Sequence, residues 1–290
     1  MHVPRMIFWL FQFYIRHFPF PHRGLKYFLR LLRILKLDHC IFEKKLPQGF
    51  RMWLTPYEHQ QQQLLWYGAY DAHITRYLLK NLKGGDTFLD IGANIGYYSL
   101  VAGTIDPEIR VIAIEPVRSN FEKLKTHLEK NGITLGSAYH NAAGSTTGQV
   151  TIFHSGPANE GMSALHPPED HTGTREPVEM IVLDSWEVTR SLPRIDLIKI
   201  DTEGNEKEVL RGMKELIRKH RPRIILECNP ETLARFGETP STLLKECEEL
   251  GYTALNLTNG SNESLTSASP PNLALDLLLL PLNLETVSNP

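Results

Sequence analysis

Two short stretches of this 290-residue chain place reactive residue types at readable spacings. The first is Asp90-Ile91-Gly92-Ala93-Asn94-Ile95-Gly96, wedged between an apolar run and a helix-like one, with Glu115 nineteen residues further on. The second is Lys199-Ile200-Asp201-Thr202-Glu203-Gly204-Asn205-Glu206, again where an apolar run ends. A strand, a glycine turn and a helix in succession let backbone N–H groups approach a ligand closely. A dinucleotide fingerprint G-x-G-x-x-G needs glycine at positions 90, 92 and 95, and here Asp90 and Ile95 fill two of the three.

An anionic Asp90 faces a pyrophosphate unfavourably but suits a ligand that carries an ammonium and a sulfonium group. S-adenosylmethionine has both, and its ribose hydroxyls can donate to an acidic side chain at a strand end, as Glu115 is. Gly92 and Gly96 then serve close backbone approach, and the helix N-terminus faces the ligand's carboxylate.

In the second stretch, strand alternation sets Lys199 and Asp201 on one face, with Asp201 at the strand's carboxyl end. Asp201 or Glu203 is expected to orient or deprotonate an acceptor hydroxyl while Lys199 tunes the field. Proton removal of that kind is worth typically ~10²–10⁴-fold. The same residues also read as a helix N-terminal cap, because Asp, Thr and Glu complement the helix dipole. Glu206 is read as serving only that end. Glu227 reads as a further polar contact, or as a divalent-ion ligand with these carboxylates; lacking tight His/Asp ligand spacing, the chain is assigned no metal. His140, His154, His166 and His171, the loop residues 159–163 and Asp71 are placed around the same cleft.

These residues need a scaffold, and the hydrophobic pattern supplies one. Residues 58–79 read as helical with a break at Gly68. Strands are expected at 87–91, 110–115, 137–141, 149–153, 179–183, 196–200, 223–227, 252–257 and 273–280. Helices are expected after 96, over 119–130, 206–219 and 240–250, and a long loop over 154–177. Strands alternating with helices give an α/β chain with a mostly parallel, doubly wound sheet. The last two strands have no helix between them, so an antiparallel edge follows.

The formal net charge of −2 conceals a division. Residues 1–51 carry ten basic side chains against Asp38 and Glu43, a balance of +8, which leaves the remainder at −10. An acidic body excludes general nucleic-acid binding. Three scattered cysteines (Cys40, Cys228, Cys247) form neither a disulfide framework nor a zinc site, which fits a reducing, cytoplasmic setting. The aromatic run 7–15 is too short to span a bilayer. With the basic stretch 25–37 it reads either as a helical extension packed on the core or as an interfacial anchor on the inner membrane face.

At this point the sequence resembles the FkbM-type methyltransferase family. The matching stretches are Asp90–Ser99, Ile114-Glu115-Pro116, Asn141-Ala142-Ala143-Gly144, Ile198–Glu206, Val209–Gly212, Arg221-Pro222 and Leu226-Glu227. The resemblance spans roughly residues 60–280. It implies a Rossmann-like methyltransferase fold that uses S-adenosylmethionine, usually to methylate a hydroxyl oxygen of a sugar, lipid or secondary metabolite. By position it makes Asp90, Gly92, Asn94, Gly96 and Glu115 cofactor residues. Asn141 and Ala142 resemble the place where such folds meet the adenine, although Asn141 equally suits a turn cap. The expected organisation is a basic, aromatic helical extension (1–45), a helical cap or lid (46–83) and a methyltransferase domain (84–290). Expected partners are a small-molecule, glycan or lipid-linked acceptor and a membrane surface touched through residues 1–45, with no nucleic acid. The competing readings are a nucleotide-cofactor oxidoreductase and a non-catalytic module that binds S-adenosylmethionine.

Overall fold

A computed structural model describes Phe13 and residues 21–35, 40–154, 165–166, 173–260 and 263–282. The remainder of the aromatic run 7–15, the loop segment 159–163 and His171 lie outside the described residues.

The first described helix is Pro21–Ile34. Strands β1 (Phe42–Lys45) and β2 (Arg51–Leu54) then form an antiparallel hairpin with Phe42 opposite Leu54. This hairpin was not foreseen: β1 is short and mostly polar, and only its partner strand turns Phe42 towards a core. It runs across residue 45, the expected end of the N-terminal extension. Two helices, His59–Tyr67 and Ala72–Asn81, fill the expected helical segment. They separate where Gly68 takes a left-handed conformation at φ 75°, the backbone region that glycine enters without strain.

Next come β3 (Thr87–Ile91), β4 (Arg110–Ile114) and β5 (Gly136–Tyr139). They are followed by β6 (Ala142–Ala143), β7 (Gly148–Phe153), β8 (Arg175–Ile181) and β9 (Leu197–Ile200). The chain continues through β10 (Arg223–Cys228), β11 (Tyr252–Asn256), β12 (Ser264–Leu265) and β13 (Leu275–Pro281). The main sheet has the order β12-β11-β13-β10-β9-β3-β4-β5. From β10 to β5 every pairing is parallel. The antiparallel end is present, but β13 is inserted between β10 and β11, and two-residue β12 takes the outermost place.

Alternate side chains of these strands feed two cores, one on each face. Phe88, Val111, Leu197 and Ile225 enter one, while Leu89, Ile112, Ile198 and Ile224 enter the other. The first core also takes Phe42, Met52, Leu54, Leu65 and Leu78, so the hairpin and the two helices before β3 share the sheet's own core.

Two expectations need correction. The strand read at 179–183 is β8, which starts at Arg175 and leaves the main sheet. It pairs antiparallel with β7 and parallel with β6 in a separate three-stranded sheet. Alternation of apolar residues marks a strand but not the sheet it joins; here Ile152, Val178 and Met180 close a small third core with Val117 and Ala142. The helix read at 206–219 is split into Glu206–Arg211 and Lys214–His220. At the split, a Cβ on Gly212 would stand 1.9 Å from the Gly144 carbonyl oxygen.

Leu65 is fully buried in the shared core. Leu65→Ala is expected to destabilise the whole chain by about 2–5 kcal/mol, with urea unfolding still one transition. A separate early transition for the region before β3 would disprove the shared core.

Candidate active site

The chain order of the parallel strands reverses between β3 and β9, and open α/β sheets bind ligands beyond the carboxyl ends of strands at such a point. A cleft lies there, lined from the loops after β3, β4 and β9.

Its floor is made by two loops pressed together. Asp201 N–H donates to the Ile91 carbonyl (3.0 Å), and Gly92 and Ala93 N–H both donate to Ile114 O (2.9 and 3.0 Å). Gly92 has φ 78°, and a Cβ there would stand 1.8 Å from the Asp201 carbonyl oxygen. Gly96 serves packing instead: its missing Cβ leaves room for Leu124, at 2.5 Å. Asn94 adopts φ 51° and its N–H donates to Glu115 Oε2 (2.7 Å), while its Nδ2 donates to Gln60 Oε1.

Glu115 also accepts from Val117 N–H at 2.9 Å. Burial pushes its carboxyl up to about 7, only partly offset by the N–H groups of Val117 and Asn94. Asn94 Oδ1 and Asn120 Oδ1 are buried beside it with no hydrogen-bond partner among the described residues. Unsatisfied buried acceptors of this kind favour a donor-rich ligand.

Asp90, Gly92, Asn94, Gly96 and Glu115 therefore converge on one loop cluster, but not in one manner. Gly92, Asn94 and Glu115 line the cleft, as do Asn141 and Ala142. Asn141 Nδ2 donates to Glu179 O (3.3 Å), and Ala142 is held in β6 opposite Met180. Asp90 lies beneath the lining, fully buried, accepting from Ser99 Oγ at 2.6 Å. Its Oδ1 has no partner among the described residues.

On the β9 side, Lys199, Asp201 and Glu203 all line the cleft. Lys199 is buried, opposite Asp90 in the parallel register. Its Nζ donates to Asp201 Oδ2 at 2.7 Å and sits 4.8 Å from the Tyr98 ring centroid. Burial alone would lower the Lys199 pKa, but the carboxylates of Asp201, Asp90 and Asp276 outweigh it and the net direction is upward. These carboxylates favour the charged ammonium. Glu203 occupies the left-handed region at φ 56°. Burial, then repulsion from Asp201 and Glu206, pushes its carboxyl up to about 8.

Glu206 is fully buried and accepts from Thr202 N–H, Thr202 Oγ1 and Gly204 N–H at 2.9–3.1 Å. It pins the loop that carries Glu203 and does not line the cleft. Glu227 stands behind this group, its pKa driven well up by burial and by Asp201, Glu203 and Glu206. No metal-holding group of three or more His, Cys, Asp or Glu side chains exists among the described residues.

The histidines go elsewhere. His140 bonds the Pro116 carbonyl (2.9 Å), His154 faces Glu176 (3.7 Å), and His166 packs edge-on against Phe236.

Several site residues had no signal in the sequence. Gln60 and Leu64 line the cleft from the His59–Tyr67 helix, and Tyr70 from the turn that follows it. Asp71, which the sequence placed at this cleft, has φ 37°, leaves the Ala72–Asn81 helix uncapped and accepts from Tyr98 OH at 3.0 Å. His73 reaches Asp276 on β13 at 2.6 Å. His73 and Asp276 stand 203 residues apart along the chain, so local spacing carries no trace of that pair.

Residues 90–254 match the family model described as the methyltransferase FkbM domain, which is more than half of the chain. The chain belongs to the FkbM methyltransferase family. It is 25% identical over 143 residues to the hexuronic acid methyltransferase AglP of Haloferax volcanii, covering 49% of this chain and 56% of that protein. It is 24% identical over 160 residues to the 31-O-demethyl-FK506 methyltransferase FkbM of Streptomyces tacrolimicus, covering 46% and 62%. These matches thus span less than two thirds of the curated relatives. The crystal structure of the FkbM methyltransferase from Methylobacillus flagellatus KT aligns with a TM-score of 0.43 at 16% identity, over 88% of this chain and 60% of that one. The family's cofactor is S-adenosylmethionine. The orphaned acceptors of Asn94 and Asn120, the buried Glu115 and the apolar Val117, Ala142 and Ile152 in one cleft fit a cationic ligand with hydroxyl and amine donors and a flat ring.

Folding raises the Glu115 pKa from 4.5 to about 7. Between those values the folded chain holds more protons than the unfolded one, so stability falls as pH rises through the window. Glu115→Gln is expected to flatten that fall, by up to ~3 kcal/mol across it, in denaturant titrations without cofactor. Parallel pH dependences for the two proteins would show that Glu115 titrates normally.

Proposed function

We propose that this chain is an S-adenosylmethionine-dependent O-methyltransferase whose acceptor is a hydroxyl on a sugar, a lipid-linked glycan or a secondary metabolite. The observation that carries the reading is that Glu203, a carboxyl with raised pKa, faces the same cleft as Glu115 and the Gly92 turn. One wall suits the cofactor and the other offers a proton acceptor.

In this reading Glu115, Gly92, Asn94, Asn141 and Ala142 hold the cofactor, with Asp90 and Gly96 shaping the loop from beneath. S-adenosylmethionine supplies an electrophilic methyl group when bound. The work of the protein is then to align the acceptor oxygen and to remove its proton. Asp201 is held by Lys199 Nζ at 2.7 Å. It is assigned the task of orienting the acceptor hydroxyl. Glu203, raised to about 8, takes the proton. Acceptor choice is assigned to Gln60, Leu64 and Tyr70, which line the cleft yet precede the family-matched residues. The names of the two relatives, a hexuronic acid methyltransferase and a 31-O-demethyl-FK506 methyltransferase, support this acceptor class.

Calorimetric titration with S-adenosylmethionine, S-adenosylhomocysteine and NADH tests the cofactor half. Binding of the two adenosyl ligands and not of NADH is expected; the reverse pattern would move the protein to nicotinamide chemistry. For the acceptor half, kcat/KM should rise with pH through a limb near the Glu203 value. Glu203→Gln should abolish that limb and lower turnover about 10²-fold or more while leaving cofactor affinity unchanged. A persisting limb in that variant would remove Glu203 as the base.

A further inference from the structure

No described side chain of the Pro21–Ile34 helix lines the cleft, and its described faces differ in character. At about 100° per residue, Leu29 and Leu32 fall on one side, and Leu32 is buried in the core shared with the sheet. Arg30 and Arg33 fall on one flank, both exposed. On the other flank Leu31, Ile34 and the following Leu35 are exposed at 43%, 69% and 46%. Ile41, just before β1, is exposed at 68%. Single exposed apolar side chains are ordinary on a protein surface, but an aligned stripe of large aliphatic ones is not.

We infer that this stripe is an interfacial anchor that lies on an anionic lipid membrane. A helix of 14 residues extends only about 21 Å, short of the ~30 Å of a bilayer's hydrocarbon. No helix among the described residues is long and apolar enough to cross a membrane. A helix that lies in the interface needs neither length nor a purely apolar surface. It needs an apolar stripe at acyl depth with cations beside it at the phosphates. Leu31, Ile34 and Leu35 supply the stripe, and Arg30 and Arg33 supply the cations. Charge complementarity selects an anionic surface over a neutral one. Residues 1–51 carry +8 and the rest of the chain −10, so negative lipid attracts this end and repels the catalytic body. The anchor is fixed to that body through Leu32, so it orients the whole protein rather than tethering it loosely.

The test is sedimentation of the full chain with phosphatidylcholine vesicles, with and without phosphatidylserine, at low and high salt. Wild type should pellet with the anionic vesicles alone, and less at high salt. The triple variant Leu31→Glu, Ile34→Glu, Leu35→Glu should lose about tenfold or more of its vesicle partition. Arg30→Glu with Arg33→Glu should weaken binding and flatten the salt dependence. Unchanged melting and unchanged S-adenosylmethionine binding would show that both variants are folded, and they keep this test separate from the methyltransferase reading. Wild type left in the supernatant with anionic vesicles, or a triple variant that pellets equally, would overturn the anchor. A wild-type dimer that the triple variant converts to monomer, without vesicle binding, would overturn it too, and give the stripe to a second copy.

Discussion

A buried ammonium among carboxylates sets the terms for the rest of this structure. Lys199 is 3% exposed, and its charge is held against the desolvation penalty by Asp201, Asp90 and Asp276. Removing a buried charge's partners is strongly unfavourable, so the strands that carry them must keep register: Asp90 stands opposite Lys199 across the β3–β9 pair. That pair is also where the strand order reverses. The electrostatic centre and the topological centre of the sheet coincide, and the cleft opens above both.

Around that centre, backbone does what side chains cannot. The loops after β3 and β9 approach so closely that only a hydrogen atom fits on Gly92 beside the Asp201 carbonyl. This contact transmits the position of Lys199 and Asp201 to the turn that ends in Asn94. Glu115 fixes the same turn from β4 by accepting the Asn94 and Val117 N–H groups. Glu206 does the equivalent for the loop bearing Glu203. Two buried acidic residues, each accepting from backbone N–H groups, thus fix the loops on either side of the cleft that Glu203 faces.

The segment before β3 completes the site from one side. Its hairpin and helices are built into the sheet's core, and Gln60 meets Asn94 and Tyr70. His127, buried in the helix Arg118–Lys130, accepts from the Trp53 N–H at 3.0 Å and donates to the Ile95 carbonyl at 2.7 Å. One neutral imidazole thereby ties the hairpin to the glycine turn. Burial lowers its pKa, which keeps it in the form that can accept from one partner and donate to the other.

By itself the sequence determined what repeats or stands close along the chain. The alternation of strands and helices, the break at Gly68, the Asp90–Gly96 turn, Glu115 at its strand end and the Lys199–Glu206 stretch were all legible, because each depends on local backbone geometry or on spacing within one unit. Tertiary structure alone decided which sheet β8 would join, that β13 would enter between β10 and β11, and that Asp90 would lie beneath the cleft rather than in its wall. It alone brought Gln60, Tyr70 and His73 to the site. Those outcomes depend on which buried surfaces meet across long stretches of chain, and periodicity says that a face is apolar without naming its partner.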